Sequence, residues 1–199
     1  MGSLDLLITT AFVALASAVV ALLLGYPIGH WLSSLRRLRR LVTGVLLVPF
    51  VLPAFLIGLA LRPLLGDALE SSWVALGSII FAHVLMNAGF LAVVTAASMT
   101  PRDQAEAARL DGASTLQLRW YLQLPQQLPA LSAAGLLVAL YSATSFGLVV
   151  TLGQGAVRTL ETEIASAALQ TLDLPTAGFL ALLQCVLTVG FFAAARRLG

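Results

Sequence analysis

The chain has 199 residues, 59% of them hydrophobic and 10% charged, with a formal net charge of +2 and a mean hydropathy of +0.97. A soluble domain carries about 25% charged residues, so 11 basic and 9 acidic side chains are too few to cover a water-exposed surface of this size. Composition therefore excludes a typical cytosolic enzyme, a disordered chain and a nucleic-acid-binding domain, and leaves a multi-pass membrane protein.

A span of hydrocarbon needs about 20 apolar residues. Five such runs occur, at about 6–31, 41–65, 73–97, 128–152 and 175–195. They are too long and too continuous for barrel strands, so they are predicted as helices. No basic residue precedes the first run, which reads as a retained span rather than a cleaved leader. Ala14, Ala18, Ala21, Gly25 and Gly29 form a stripe of small residues along it, suited to close helix packing. Pro27 lies between the two glycines and predicts a kink. The link that follows holds Arg36, Arg37, Arg39 and Arg40, either a topology determinant alone or a contact for anionic lipid heads. Pro49 and Pro53 predict a kink or hinge in the second span. A short turn, Gly66 to Ser72, carries Asp67 and Glu70.

His83 and Asn87 stand four apart in the third span and share a face. Two readings stay open for them: interhelical hydrogen bonds of about 1 kcal/mol each, or the lining of a pathway. Ser142, Thr144 and Ser145 in the fourth span have the same two readings, since their hydroxyls can bond their own backbone carbonyls. The segment Gly153 to Leu174 is predicted to be partly helical, with Leu160, Ile164 and Ala167 on one face and Glu161 and Glu163 elsewhere. Gln184 is the remaining deep polar group of the fifth span. The lone Cys185 beside it reads as a small packed hydrophobe.

All eleven basic residues are Arg. Alternating the five spans puts nine of them on one side with Asp103, Glu106 and Asp111. Arg62 and Arg158 fall on the other side with the six remaining acids. Positive charge marks the cytoplasmic side. The expected architecture is an all-α membrane protein: five transmembrane helices in one domain, residues 1–199, with the N-terminus outside and the C-terminus cytoplasmic.

The link between the third and fourth spans, residues 100–127, is long and polar. Pro101 and Asp103 open a helix, with an acid in its first turn. Gly112 allows a turn. A second amphipathic stretch follows, with Leu116, Leu118 and Leu122 apolar, and Pro125 is expected to end it before the fourth span. Its spacing is Glu106-Ala107-Ala108, three residues, Gly112, nine residues, Leu122, one residue, Leu124-Pro125. This resembles the EAA loop of binding-protein-dependent ABC importer permeases, the MetI-like transmembrane domains, and departs from that pattern only by Leu122 in place of Ile. Two further stretches, Phe81 to Asn87 and Phe146 to Gly155 followed by Thr159-Leu160-Glu161, resemble the N-terminal half of thiamine and ferric-iron permeases.

The resemblance implies a coupling helix that docks on a cytoplasmic ATPase subunit, with Glu106, Ala107, Ala108, Arg109, Asp111, Gly112, Leu122, Leu124 and Pro125 as the coupling residues. It implies a second permease core (a copy, a different chain or a fused half), and a solute-binding protein facing Asp67, Glu70, Glu161 and Glu163. It places the chain in a bacterial or archaeal cell membrane, with His83, Asn87, Ser142 and Ser145 along the pathway and a small polar or ionic solute, thiamine-like or ferric iron, passing through. No catalytic residue, cofactor or metal site is expected in this chain. It has no Lys and no Walker A sequence, so ATP and Mg would be bound by the partner ATPase. Two other classes stand against this reading. An ion-coupled carrier or channel would want intramembrane carboxylates, and the five runs hold none. A non-transporting scaffold would leave the EAA spacing unexplained.

Overall fold

The computed structural model of the chain describes residues 2–198, with side chains to residue 194. The side chains of Arg196 and Arg197, assigned above to the cytoplasmic face, lie outside the described residues. Among the described residues, regular structure is helical apart from an isolated bridge between Gln154 and Val157. The helices are α1 (Ser3–Ser34), α2 (Arg39–Val51), α3 (Ala54–Leu65), α4 (Ser72–Ala97), α5 (Arg102–Leu110), α6 (Thr115–Gln117), α7 (Leu124–Ala143), α8 (Phe146–Gly153), α9 (Leu160–Ala165) and α10 (Leu174–Leu198).

Three helices, α1, α4 and α10, are each long and apolar enough to cross a membrane. Two bent pairs reach that length only together, α2 with α3 and the 115–143 helix with α8, giving up to five crossings if each pair is one span. The second run is therefore broken near its prolines, where a kink or hinge was predicted, and the fourth is a broken helix rather than the continuous span expected. The first break is sharp, at 85°. Pro53 disfavours helical backbone at Leu52, which is extended at φ −67° and ψ 140°, and Pro49 removes one more helical donor. The second break, 54°, contains neither Pro nor Gly at its corner. There the Thr144 hydroxyl donates to Leu140 O at 3.0 Å, and Ser145 N–H turns back to Ser142 O. Side-chain and reverse-turn bonds replace the helical ladder.

The stripe of small residues on α1 is buried throughout, chiefly against α4. A Cβ on Gly25 would come within 2.7 Å of Leu91 Cβ and 2.9 Å of Ala88 O. Gly29 meets Ala92 and Thr95 one turn further on. Positions 25 and 29 thus advance alongside 91 and 95, so α1 and α4 are parallel, as alternating spans require. Helix α1 is continuous through Pro27.

The ends of the bundle are distinct. At one end Arg39 donates to Ala96 O at the C-terminus of α4, where a cation suits the dipole, and Gln127, fully buried, donates to Thr95 O and Met99 Sδ. At the other end Leu160 N–H bonds Thr10 Oγ1 at 2.9 Å, and Leu69 packs with Val13, Ala75 and Val157. The segments 35–40 and 102–123 thus lie at one end, and 66–70 and 154–170 at the other.

The outer surfaces of α1 and α10 are apolar, with Ile8, Phe12, Leu23, Phe179, Val186 and Phe192 all exposed. A soluble monomer does not carry such an area, but lipid is its natural solvent. Cys185 lies on this exposed surface, not in a packed interior as expected: α10 touches the bundle along a narrow strip that includes Gln184. The Gln184 amide donates to Ala143 O at 3.2 Å, a carbonyl that the second break leaves without a helical donor.

Gly25→Val is expected to lower stability by about 1–3 kcal/mol by forcing α1 off α4. Gln184→Leu is expected to cost about 1–3 kcal/mol by leaving Ala143 O unpaired. Thermal unfolding in detergent, compared with Cys185→Ser on the same helix, measures both.

Candidate functional site

Two places concentrate the polar groups that the sequence singles out. The first is the segment 102–123. Helix α5 starts after Pro101, with Asp103 in its first turn and Arg109 in its last, both favourable to its dipole. It ends in a fully bonded cap. Gly112 has φ +87°, its N–H bonds Arg109 O, and Ala113 N–H bonds Ala108 O, each at 3.0 Å. This is the Schellman arrangement, which needs glycine for its left-handed residue. Nothing lies near a Cβ at this position, so backbone conformation, not space, demands glycine. Two residues later a capping box starts the next helix: Gln117 N–H donates to Ser114 Oγ at 3.3 Å, and Ser114 N–H to Gln117 Oε1 at 2.8 Å. The turn is thus closed on both sides. The Ser114–Gln117 spacing was readable as a box in the sequence and is the signal that the sequence reading missed.

Pro125 does not end the second helix. Residues 118–123 form a π-helical turn that runs directly into α7. The wider turn makes room for a proline that lacks an N–H and would otherwise press on the preceding turn. Leu118 is buried as the anchor of this turn, and Gln126 Nε2 donates to Gln104 Oε1 at 3.1 Å, tying α5 to α7. Glu106, Ala107, Arg109, Asp111, Gly112 and Pro125 are exposed, whereas Ala108, Leu122 and Leu124 are half-buried. Leu110 is 89% exposed and Tyr121 81%, with Leu116 and Trp120 also open. The segment therefore presents a mixed apolar and charged face. Among the described residues the ion pair present is Arg158–Glu163, so Glu106 has no internal partner.

The second place is a cleft of about 530 Å³ between the two helix breaks. His83, Asn87 and Ser145 line it, and Ser142, which is buried, does not. Asn87 Nδ2 donates to His83 O within its own helix, at 2.7 Å. His83 is 3% exposed and its Nε2 has no partner. The expected interhelical bonds of this pair are thus absent among the described residues. The remaining wall holds Pro53 and Phe55 from the start of α3, Gly147 from the start of α8, and the aromatic rings of Phe50 and Tyr141.

At the opposite end from α5, Asp67 and Glu70 are exposed, while Glu161 and Glu163 are half-buried. Burial raises the Glu161 carboxyl above its ordinary value. Glu163 pairs with Arg158, whose Nε donates at 3.0 Å. As expected, Leu160 and Ala167 are buried, and Ile164 packs against the cluster of Leu6, Leu160 and Leu180. The four acids thus share one end of the molecule.

The family model described as "Binding-protein-dependent transport system inner membrane component" matches residues 17–196. A protein of Salmonella typhi, provisionally named as the 2-aminoethylphosphonate transport system permease PhnU, is 36% identical over 92 residues, 46% of this chain and 32% of that protein. The molybdenum transport system permease ModB of Mycobacterium bovis is 30% identical over 167 residues, 76% of this chain and 63% of its own. The chain thus spans less than two thirds of either relative. An inward-facing structure of the MetNI methionine ABC transporter superposes with a TM-score of 0.80 at 19% identity, covering 98% of this chain and 93% of that one.

Gly112→Ala forces an L-residue into the left-handed region at about 1–2 kcal/mol. The amides of α5 are expected to exchange roughly 5- to 30-fold faster, read by hydrogen–deuterium exchange across residues 104–110.

Proposed function

The chain belongs to the family of binding-protein-dependent transport system inner membrane components, and we propose on that footing that it is the permease subunit of an ATP-driven importer. The observation that carries the reading is the exposed, double-capped helix pair at 102–123, whose spacing matches the EAA loop. Its open leucines and aromatics, with Glu106 unpaired beside them, suit a groove on a soluble partner. In this reading α5 docks in a cytoplasmic ATPase subunit that binds ATP and Mg. Glu106 pairs with a basic residue there, and Ala107 and Ala108 let helix and groove approach closely. Arg109, Asp111, Leu122, Leu124 and Pro125 complete the contact.

The whole of residues 1–199 then forms one transmembrane core of five spans, two of them broken, with the N-terminus outside. The Arg asymmetry supports that orientation, because it places 35–40 and 102–123 together in the cytoplasm. A second core faces this one across the pathway, and a solute-binding protein meets the end carrying Asp67, Glu70, Glu161 and Glu163. Closure of the ATPases moves α5 and, through the bonds from Gln127 to Thr95 O and Met99, the ends of α4 and α7. The solute is small and polar or ionic. The narrower likeness to thiamine and ferric-iron permeases finds no support among the relatives, whose names refer to 2-aminoethylphosphonate, glycine betaine and molybdenum. No feature favours an ion-coupled carrier.

Glu106→Lys and Gly112→Asp are each expected to weaken ATPase capture at least about tenfold, ~1.4 kcal/mol, and to abolish ATP-driven uptake in vesicles while leaving the chain folded. Full uptake by both variants, or no ATPase captured by the unaltered chain, overturns the reading.

A further inference from the structure

Helices α3 and α8 begin at the same cleft and lie side by side. A Cβ on Gly147, in the first turn of α8, would come within 3.0 Å of Phe55 N in the first turn of α3. Further along, a Cβ on Gly58 would collide with the Thr151 side chain. The contacts advance from 55 to 58 on one helix and from 147 to 151 on the other, so the two helices are parallel. Both N-termini, with their partial positive charge, therefore open on one spot, the cleft that Phe55, Gly147, His83 and Ser145 line. Parallel dipoles repel in a medium of low dielectric, and negative charge placed between their N-termini offsets that repulsion.

The depth is right for a transit site. Helix α2 covers about 20 Å at 1.5 Å per residue before the first break, and α8 about 12 Å beyond the second, against a hydrocarbon layer of roughly 30 Å. Two of the residues that line the cleft, His83 and Ser145, carry buried side-chain atoms without a partner, Nε2 and Oγ, as do seven other side-chain atoms among the described residues. A buried imidazole nitrogen and hydroxyl left unpaired are costly, unless something that visits the cleft bonds them. Among the described residues, no carboxylate lines the cleft to repel an anion and no guanidinium lines it to trap one. An anion held by dipoles and neutral donors alone binds weakly enough to leave again, as a passing solute must.

We propose that this cleft receives the oxyanion group of the solute, with the N-termini of α3 and α8 facing it and His83 Nε2–H and Ser145 Oγ–H donating to its oxygens. The proposal deepens the permease reading and rests on it for the word solute. Phe50 and Tyr141 flank the site, with ring centroids 6.0 Å apart, and Phe50 stacks on Phe90 while Tyr141 stays exposed. Those rings offer the competing reading of a site for cations, which the experiment is built to separate.

The chain has two histidines, so a 15N-histidine-labelled sample in lipid nanodiscs reports on His83 directly once His30→Gln assigns the other resonance. It is titrated with sodium methylphosphonate and with sodium acetate, against tetramethylammonium chloride and sodium chloride at equal ionic strength. A saturable shift of the His83 Nε2 resonance with either oxyanion, absent with both chloride salts, is expected, and the oxyanion that shifts it tells phosphonate from carboxylate. Ser145→Ala is expected to weaken that binding about tenfold. No shift with either oxyanion, an equal shift with tetramethylammonium, or unchanged affinity in Ser145→Ala overturns the proposal. ATPase capture by the same unaltered sample keeps the two readings apart. Capture without titration sinks the cleft alone, and titration without capture sinks the importer.

Discussion

Backbone amides have no water to bond in hydrocarbon, so every peptide group in the apolar layer needs a partner from the protein itself. That constraint organises the molecule. Where the helices are whole, as in α1 and α4, the ladder meets it and the side chains need only pack. Where they are broken, each freed group must be met individually. Arg39 and Gln127 bond carbonyls at the end of α4, Gln184 crosses from α10 to the last carbonyl of α7, and Thr144 bonds back one turn. These polar side chains are each explained by a carbonyl they serve. Among the described residues Ser17, His83, Ser142 and Ser145 keep buried polar atoms without a partner, and of these His83 and Ser145 line the same cleft.

The positions of those breaks divide the bundle into stiff and adjustable parts. Helices α1 and α4 meet through glycines with no slack, so they form one body. The adjustable parts are the corners at Leu52–Pro53 and Thr144–Ser145, where no ladder runs through. A change of angle at either corner alters the distance between α2 or α7 and the parallel pair α3 and α8 without disturbing α1 against α4. The cleft sits at both corners at once, so its shape is the coordinate on which such a change is felt first.

Much of this was legible in the chain. The length of the apolar runs located the long helices α1, α4 and α10 and the two bent pairs. The small-residue stripe of α1 turned out to be buried along its whole length, because close approach in lipid leaves few alternatives to Ala and Gly. Pro49 and Pro53 announced the first break, since proline acts on its own backbone. The second break was not legible, because it arises from hydroxyls and a reverse turn that any Ser-Thr-rich stretch could form or decline. Pro125 misled for the opposite reason: a π-turn absorbed a residue that ordinarily stops a helix. The exposed Cys185 shows that an apolar run does not reveal which of its faces is turned inward. Within the candidate sites, spacing identified 102–123, whereas the meeting of His83 with two helix N-termini depends on long-range packing that no local pattern encodes.

The closure of the turn around Gly112 has a mechanical consequence. A glycine between two helices is usually a point of give, but here both flanking helices are bonded into the turn, and Gln104 to Gln126 braces them across it. The assembly is stiff in bending, like the elbow of a bracket rather than a hinge. A force applied to Glu106 is therefore not spent in flexing the link. It is passed on through the turn to the foot of α7, and inside the bundle it meets the two corners.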